Sequence, residues 1–166
     1  LFQREKDSVA HVWVMDADGT HQRQLTDGKT DDSTTSFSRD GKAIVFCRVL
    51  GGISHLWLMD ADGSHQRQLT DGAWFDGLPS FSPDGGRIVF KRREEVIPKF
   101  TQVPGPATLR IPEVFVLTVG GELRRLTHNR GIDEPISFSS DGTRIFYYRV
   151  DDLHANDRLI GVAVMD

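Results

Sequence analysis

A single cysteine, Cys47, occurs in 166 residues. No intrachain disulfide can form, and cysteine usage says nothing about redox compartment. Long apolar runs are also missing; none approaches the roughly 20 residues a membrane-spanning helix needs. Basic charge is not in excess: 20 Lys and Arg stand against 24 Asp and Glu, for a formal net charge of -4. A nucleic-acid partner is therefore not expected, because phosphate contacts need a net basic face. No segment sustains a helical apolar period, which excludes a helical solenoid. A Gly-x-Ser-x-Gly elbow, a phosphate-binding loop and a zinc-spaced Cys/His cluster are all lacking, so neither catalytic residues nor a cofactor are expected. The first residues, Leu1 to Asp7, contain no signal-peptide apolar core. What is present, 38% apolar and 27% charged residues, suits a folded domain with a core.

Repetition dominates the rest. The run Val12 to Gly28, VWVMDADGTHQRQLTDG, returns as Leu56 to Gly72, LWLMDADGSHQRQLTDG, 44 positions later. A looser copy begins at Val114 and ends at Leu126-Thr127, and the start of a fourth is Val162 to Asp166. A second element alternates with the first: Ser36 to Gly41, Ser80 to Gly85 and Ser137 to Gly142, each Ser-Phe-Ser-x-Asp-Gly.

Each repeat reads as four strands, A to D. Strand A ends in Ser-Phe-Ser, and Asp-Gly makes a tight hairpin. Strand B (Ala43–Phe46, Arg87–Phe90, Arg144–Tyr147) is apolar on both faces, as expected between two neighbouring sheets. Strand C is the Val-Trp-Val-Met-Asp run, followed by an Asp-Ala-Asp-Gly hairpin. Strand D, Gln-Arg-Gln-Leu-Thr, is polar and suits an outer edge. Four antiparallel strands at this period are the signature of a β-propeller. The expected fold is all-β, with about three blades' worth of chain in an open arc or as part of a larger ring. Its parts are a partial blade 1-26, blades 33-70 and 77-127, and a partial blade 134-166. The register already holds at Phe2, so the sequence reads as starting within a strand B. Strand C occurs four times and strand D three times, so an arc with apolar end faces and a tendency to self-associate is expected. Phe37, Phe81 and Phe138 are expected to be buried between blades.

These motifs, with Ser82-Pro83-Asp84-Gly85 and Ile88-Val89-Phe90 as the best match, resemble the TolB-type repeat, also called the PD40 or WD40-like propeller repeat. Phe37, Phe81 and Phe138 stand where Trp is common in that pattern, and Arg39 and Ser140 replace its proline. The resemblance implies a non-catalytic scaffold with a protein or peptide partner, like the TolB component of the Tol–Pal envelope system, in a periplasmic or extracytoplasmic location. An alternative within the resemblance is the substrate-gating propeller of a prolyl-oligopeptidase-type serine peptidase.

Two faces compete for the working role. The A–B and C–D hairpins are short and alike, which marks their face as structural. The opposite face carries the D–A and B–C loops, and one B–C connection is lengthened by the stretch Glu94 to Arg110, containing Pro98, Pro104 and Pro106. Insertions gathered on one face often mark a binding surface, although a tolerated insertion costs little in closure entropy. On this face Asp32, Asp76 and Asp133 recur just before strand A. They would form a circle of carboxylates near the channel mouth, or each would cap its own turn, which is the favoured reading. Trp74 and Phe75 stand beside Asp76 and serve either as contact residues or as blade packing. These five residues are the candidate partner-binding set. His11 with His55, and His21 with His65, recur in two copies, but equivalent places on adjacent blades lie too far apart to share one ion. The Asp-Ala-Asp-Gly turns lack the late glutamate of a calcium loop. Lys91-Arg92-Arg93 followed by Glu94-Glu95 reads as a solvated strand end, and Cys47 as a strand-packing residue.

Overall fold

The computed structural model describes residues 1–94, 111–128, 131–151 and 159–165, with backbone alone for 94, 151 and 159–165. It is all-β: no helix occurs among the described residues. Four antiparallel sheets follow one another along the chain. The first holds β1 (Phe2–Lys6), β2 (Val9–Val14) and β3 (Arg23–Gln24). The second holds β4 (Asp32–Phe37), β5 (Ala43–Leu50), β6 (Ile53–Asp60) and β7 (Arg67–Gln68). The third holds β8 (Trp74–Phe81), β9 (Arg87–Glu94), β10 (Glu113–Thr118) and β11 (Leu123–Arg125), and the fourth β12 (Ile132–Phe138), β13 (Ile145–Asp151) and β14 (Leu159–Met165). Order within each sheet follows the sequence, so the chain is a series of meanders, a partial β-propeller. The first sheet begins at strand B and the fourth ends at strand C.

The hairpins form where Asp-Gly was expected, and their side chains show why. Ser38 donates its Oγ hydrogen to Asp40 (2.7 Å) and accepts the Ala43 N–H (2.9 Å), while Asp40 accepts the Lys42 N–H (3.1 Å). Gly41 closes the turn at φ 71°, a value that disfavours any side chain. Ser82 with Asp84 and Ser139 with Asp141 repeat this arrangement. At the C–D turns, Asp18 and Asp62 accept the N–H of Thr20 and Ser64 (both 2.9 Å), so these acids shape hairpins. Gly63 has a second constraint. A Cβ there would lie 2.8 Å from the Leu25 carbonyl oxygen, so the second sheet's turn approaches the first sheet's outer strand too closely for a side chain.

Strand B fills the core from both faces. Ile44 and Phe46 meet Val12, Leu25 and Met59 between the first and second sheets. Val45 and Cys47 meet Leu56, Ile88, Phe90 and Leu117 between the second and third. Val89 and Val114 meet Ile145 and Tyr147 between the third and fourth. Burial of such side chains contributes roughly 1.5–3 kcal/mol each, which is what holds sheet to sheet.

The innermost phenylalanines depart from expectation. Phe81 and Phe138 are partly buried and pack against the preceding sheet, but Phe37 is 38% exposed. Phe138 is covered by the Arg87 guanidinium, 5.2 Å from its ring, which sits at the base of the third sheet's A–B hairpin. The first sheet has no A–B hairpin within residues 1–166, so nothing covers Phe37 in the same way. Strands B and C also run further than the apolar pattern indicated: β5 and β6 pair out to Leu50 and Ile53 across a Gly51-Gly52 turn. The insertion from Glu94 to Arg110 lies outside the described residues, apart from the Glu94 backbone.

Candidate functional site

The three repeated aspartates lie inside strand A, not in the loop before it, and their side chains are fully buried. A register shift in each strand A separates this end of the strand from its Ser-Phe end. The shift lets the aspartate pair with an arginine directly across on strand B. Asp32 accepts from Arg48 Nε and a terminal nitrogen at 2.7 and 2.8 Å, Asp76 from Arg92 at 2.6 and 2.8 Å, and Asp133 from Arg149 at 2.9 and 3.1 Å. The geometry is a two-pronged, charge-assisted clasp. The turn-capping role expected for Asp32 and Asp76 is thus replaced by an ion pair, and the circle of carboxylates is turned away from solvent.

Each arginine is also held by aromatic rings. Arg48 lies 5.1 Å from the Phe46 ring and 4.7 Å from Trp57. Arg92 lies 5.4 Å from Phe90, 5.6 Å from Phe115 and 5.7 Å from Trp74, and Arg149 lies 5.1 Å from Tyr147. Contacts of a cation with ring faces at these distances are attractive, most so when desolvated. Arg92, read from sequence as part of a solvated strand end, is buried, and Lys91 reaches across to Glu134 of the fourth sheet at 2.7 Å. The reason for that misreading is geometric: the charge run lies on a strand whose partner aspartate is sixteen residues back in sequence. The missed signal was available, since Arg4, Arg48 and Arg92 recur at the repeat step of 44.

Trp74 and Phe75 open β8 at the end of the sheet where β9 finishes, Trp74 opposite Glu94 and Phe75 opposite Arg93. Trp74 is 39% exposed and Phe75 is half-buried. The Arg93 guanidinium sits 4.6 Å from the Phe75 ring. The corresponding places in the other sheets hold Thr30 and Asp31, and Gly131 and Ile132. This aromatic pair is therefore particular to the third sheet, whereas the clasp beneath it is common to three.

At the opposite end of the strands, the A–B hairpins of the second and fourth sheets touch. Arg39, in the second sheet's A–B hairpin, reaches the Ser140 carbonyl in the fourth sheet's hairpin at 3.4 Å.

The histidines separate into two kinds. His21 and His65 are exposed and bonded through Nδ1 to Asp16 and Asp60 (2.7 Å each) in their own hairpins. The hydrogen bond to Asp60, with its charge, raises the His65 pKa above the ordinary histidine value. His11 and His55 are buried. Among the described residues no three His, Cys, Asp or Glu side chains gather as a metal site would require. Cys47 is buried, as strand packing requires, with its thiol pushed up to about 11 chiefly by desolvation.

No family model and no curated protein matches the sequence. Solved structures do match the fold. A TolB-type protein of Agrobacterium tumefaciens superposes with a TM-score of 0.72 at 21% identity, over 97% of this chain and 54% of its own. TolB of Acinetobacter baumannii gives a TM-score of 0.66 at 18% identity, over 93% of this chain and 36% of its own. The β-propeller domain of the Trilobed protease of Pyrococcus furiosus gives 0.61 at 14% identity, over 99% of this chain and 50% of its own. The chain thus spans about half or less of the length of each. At these identities the likeness concerns the fold, and on that ground the chain is a β-propeller segment similar in structure to TolB.

Proposed function

We propose that the protein is a non-catalytic propeller scaffold that binds a protein or peptide partner at the strand ends bearing Trp74 and Phe75. One observation carries this reading: an aromatic pair that breaks the repeat, with Trp74 exposed and Phe75 half-buried, stands above a buried Asp76–Arg92 clasp. Exposed aromatics on a rigid support are typical anchors of peptide recognition, because they add contact area at low entropic cost. Asp32, Asp76 and Asp133 serve as positioning residues beneath that surface. The resemblance to TolB supports an extracytoplasmic setting. A second reading, the gating propeller of a peptidase, is supported by the likeness to the Trilobed protease domain. A downstream α/β-hydrolase region in the full-length gene would favour it, and a signal peptide with a small α/β domain would favour the scaffold.

The test is selection of binders from a displayed random-peptide library on the folded chain. Peptides so selected are expected to lose at least about tenfold in affinity on Trp74→Ala/Phe75→Ala, each anchor being worth more than about 1 kcal/mol. Unchanged binding to that variant would overturn the assignment of the surface.

A further inference from the structure

The A–B hairpins lead into strand B through one repeat position that changes between sheets. Ala43, Arg87 and Arg144 each donate their backbone N–H to the hairpin serine, Ser38, Ser82 or Ser139, at 2.9 Å, so the three places are equivalent. Between the third and fourth sheets the Arg87 side chain occupies the cleft. Its guanidinium lies 5.2 Å from the Phe138 ring and donates to the Gly142 carbonyl at 2.9 Å. It also stands 3.9 Å from the carboxylate of Asp84, in its own hairpin. Between the second and third sheets, both of which have all four strands, Ala43 replaces that arginine. The corresponding place is a cavity of about 280 Å³. Its walls keep each partner that Arg87 has in the other cleft: Phe81 for Phe138, Gly85 for Gly142 and Asp40 for Asp84. Leu58 and Val119 add apolar wall. Neither cation of the rim takes the place of the missing arginine. Arg39 is turned to the Ser140 carbonyl at 3.4 Å, and the Lys42 side chain is 85% exposed, its Nζ 4.0 Å from Asp40.

We infer that this cavity receives an arginine side chain of a partner polypeptide, its guanidinium on the Phe81 ring and donating to the Gly85 carbonyl and the Asp40 carboxylate. A guanidinium is attracted to a ring face, and its planar fork can serve two acceptors at once. Its methylene stem would lie along Leu58 and Val119, as the stems of long cationic side chains do. Asp40 supplies a full negative charge at neutral pH, because the hydrogen bond from Ser38 holds its carboxyl below the usual range. Small-molecule sites are typically about 300–1,000 Å³. The cavity is smaller than that, which suits one inserted side chain better than a free cofactor. The site lies at the hairpin ends of the strands, opposite Trp74 and Phe75, and does not rest on the reading of that surface.

The probe is the capped tripeptide acetyl-Gly-Arg-Gly-amide, titrated into the isotope-labelled chain and followed by NMR. Saturable shifts are expected at amides around the cavity, Ala43 and Gly85 among them. Citrulline in place of the peptide's arginine keeps the shape without the charge, and should weaken binding at least about tenfold, as loss of a charge-assisted contact does. Ala43→Arg restores the arginine of the repeat and should abolish binding without lowering the melting temperature. Phe81→Leu keeps an apolar wall without a ring face and should weaken binding several-fold, so the inference remains testable even where Ala43→Arg does not fold. No saturable shift, equal binding of the citrulline peptide, or undiminished binding to the folded variants would overturn the inference. Tighter binding of free arginine than of the tripeptide would assign the cavity to a free amino acid and overturn a polypeptide partner.

Discussion

The first and second sheets differ by one strand, and the difference separates what positions an arginine from what buries it. In both, a Phe on strand B, a Trp on strand C and a Gln before strand D hold the guanidinium at nearly the same distances. Only in the second does strand A deliver a carboxylate, and only there is the arginine side chain withdrawn from water, to 12% exposure. Local strands thus set the geometry, and the long-range strand sets the energetics. A buried pair is poorly described by its attraction alone. What matters is that removing one member leaves the other charged and desolvated.

The comparison is broken most severely by removing a carboxylate. Asp76→Ala should destabilise the chain by about 3–5 kcal/mol, because Arg92 would remain buried without its partner. Arg4→Ala should cost under about 1 kcal/mol, as an exposed polar contact does. Urea denaturation of the two variants measures both, and similar midpoints would remove the distinction. A smaller contrast lies in the innermost phenylalanines. Phe81→Ala should cost about 2–3 kcal/mol, less than a fully buried ring, and Phe37→Ala less, about 1 kcal/mol, because that residue is 38% exposed. The same denaturation series would show it.

Much of this organisation was legible in the sequence. The hairpins at Asp40-Gly41, Asp84-Gly85 and Asp141-Gly142 were, because serine, aspartate and glycine make their bonds within five residues. Strands B and C were legible from apolar content and repetition. The clasp was not, since Asp32 and Arg48 belong to different strands and Arg92 is concealed in a run of charges. Phe37 was misjudged for a related reason: the repeat gives it the same neighbours as Phe81 only if a preceding hairpin is present. Of the candidate site, Trp74 and Phe75 stand at the loop-bearing ends of the strands, within β8, whereas the three aspartates, expected in turns, lie buried within strand A.

Two further contrasts are chemical. Cys47, with its thiol pushed up to about 11 by burial, should not react with a disulfide reagent at pH 8 while folded, and should react at once in denaturant. Fast labelling of the native chain would contradict the packing between the second and third sheets. The hairpin acids give the smallest effect. Hydrogen bonds from Ser38 and Ser82 hold Asp40 and Asp84 below the usual carboxylate range, and Ser139 with Thr143 brings Asp141 to about 2. A lowered folded-state value contributes stability above the unfolded value of 3.8, and the contribution is lost as pH falls through the folded one. The hairpins should therefore hold to about pH 4 and loosen below it, Asp141 last. Carboxylate titration by NMR would follow this order, and ordinary values at all three sites would contradict it.

Amide hydrogen exchange along strand B, in a chain of these 166 residues, tests most directly the difference between the first and second sheets. β5 and β9 are paired on both sides, whereas β1 is paired on one. Amides of Arg48 and its neighbours should exchange only on opening of the sheet, with protection of several orders of magnitude, while the outward amides of β1 should exchange at rates close to those of a loop. Equal protection of β1 and β5 in that chain would contradict the one-sided pairing of β1 and, with it, the distinction between Arg4 and Arg48.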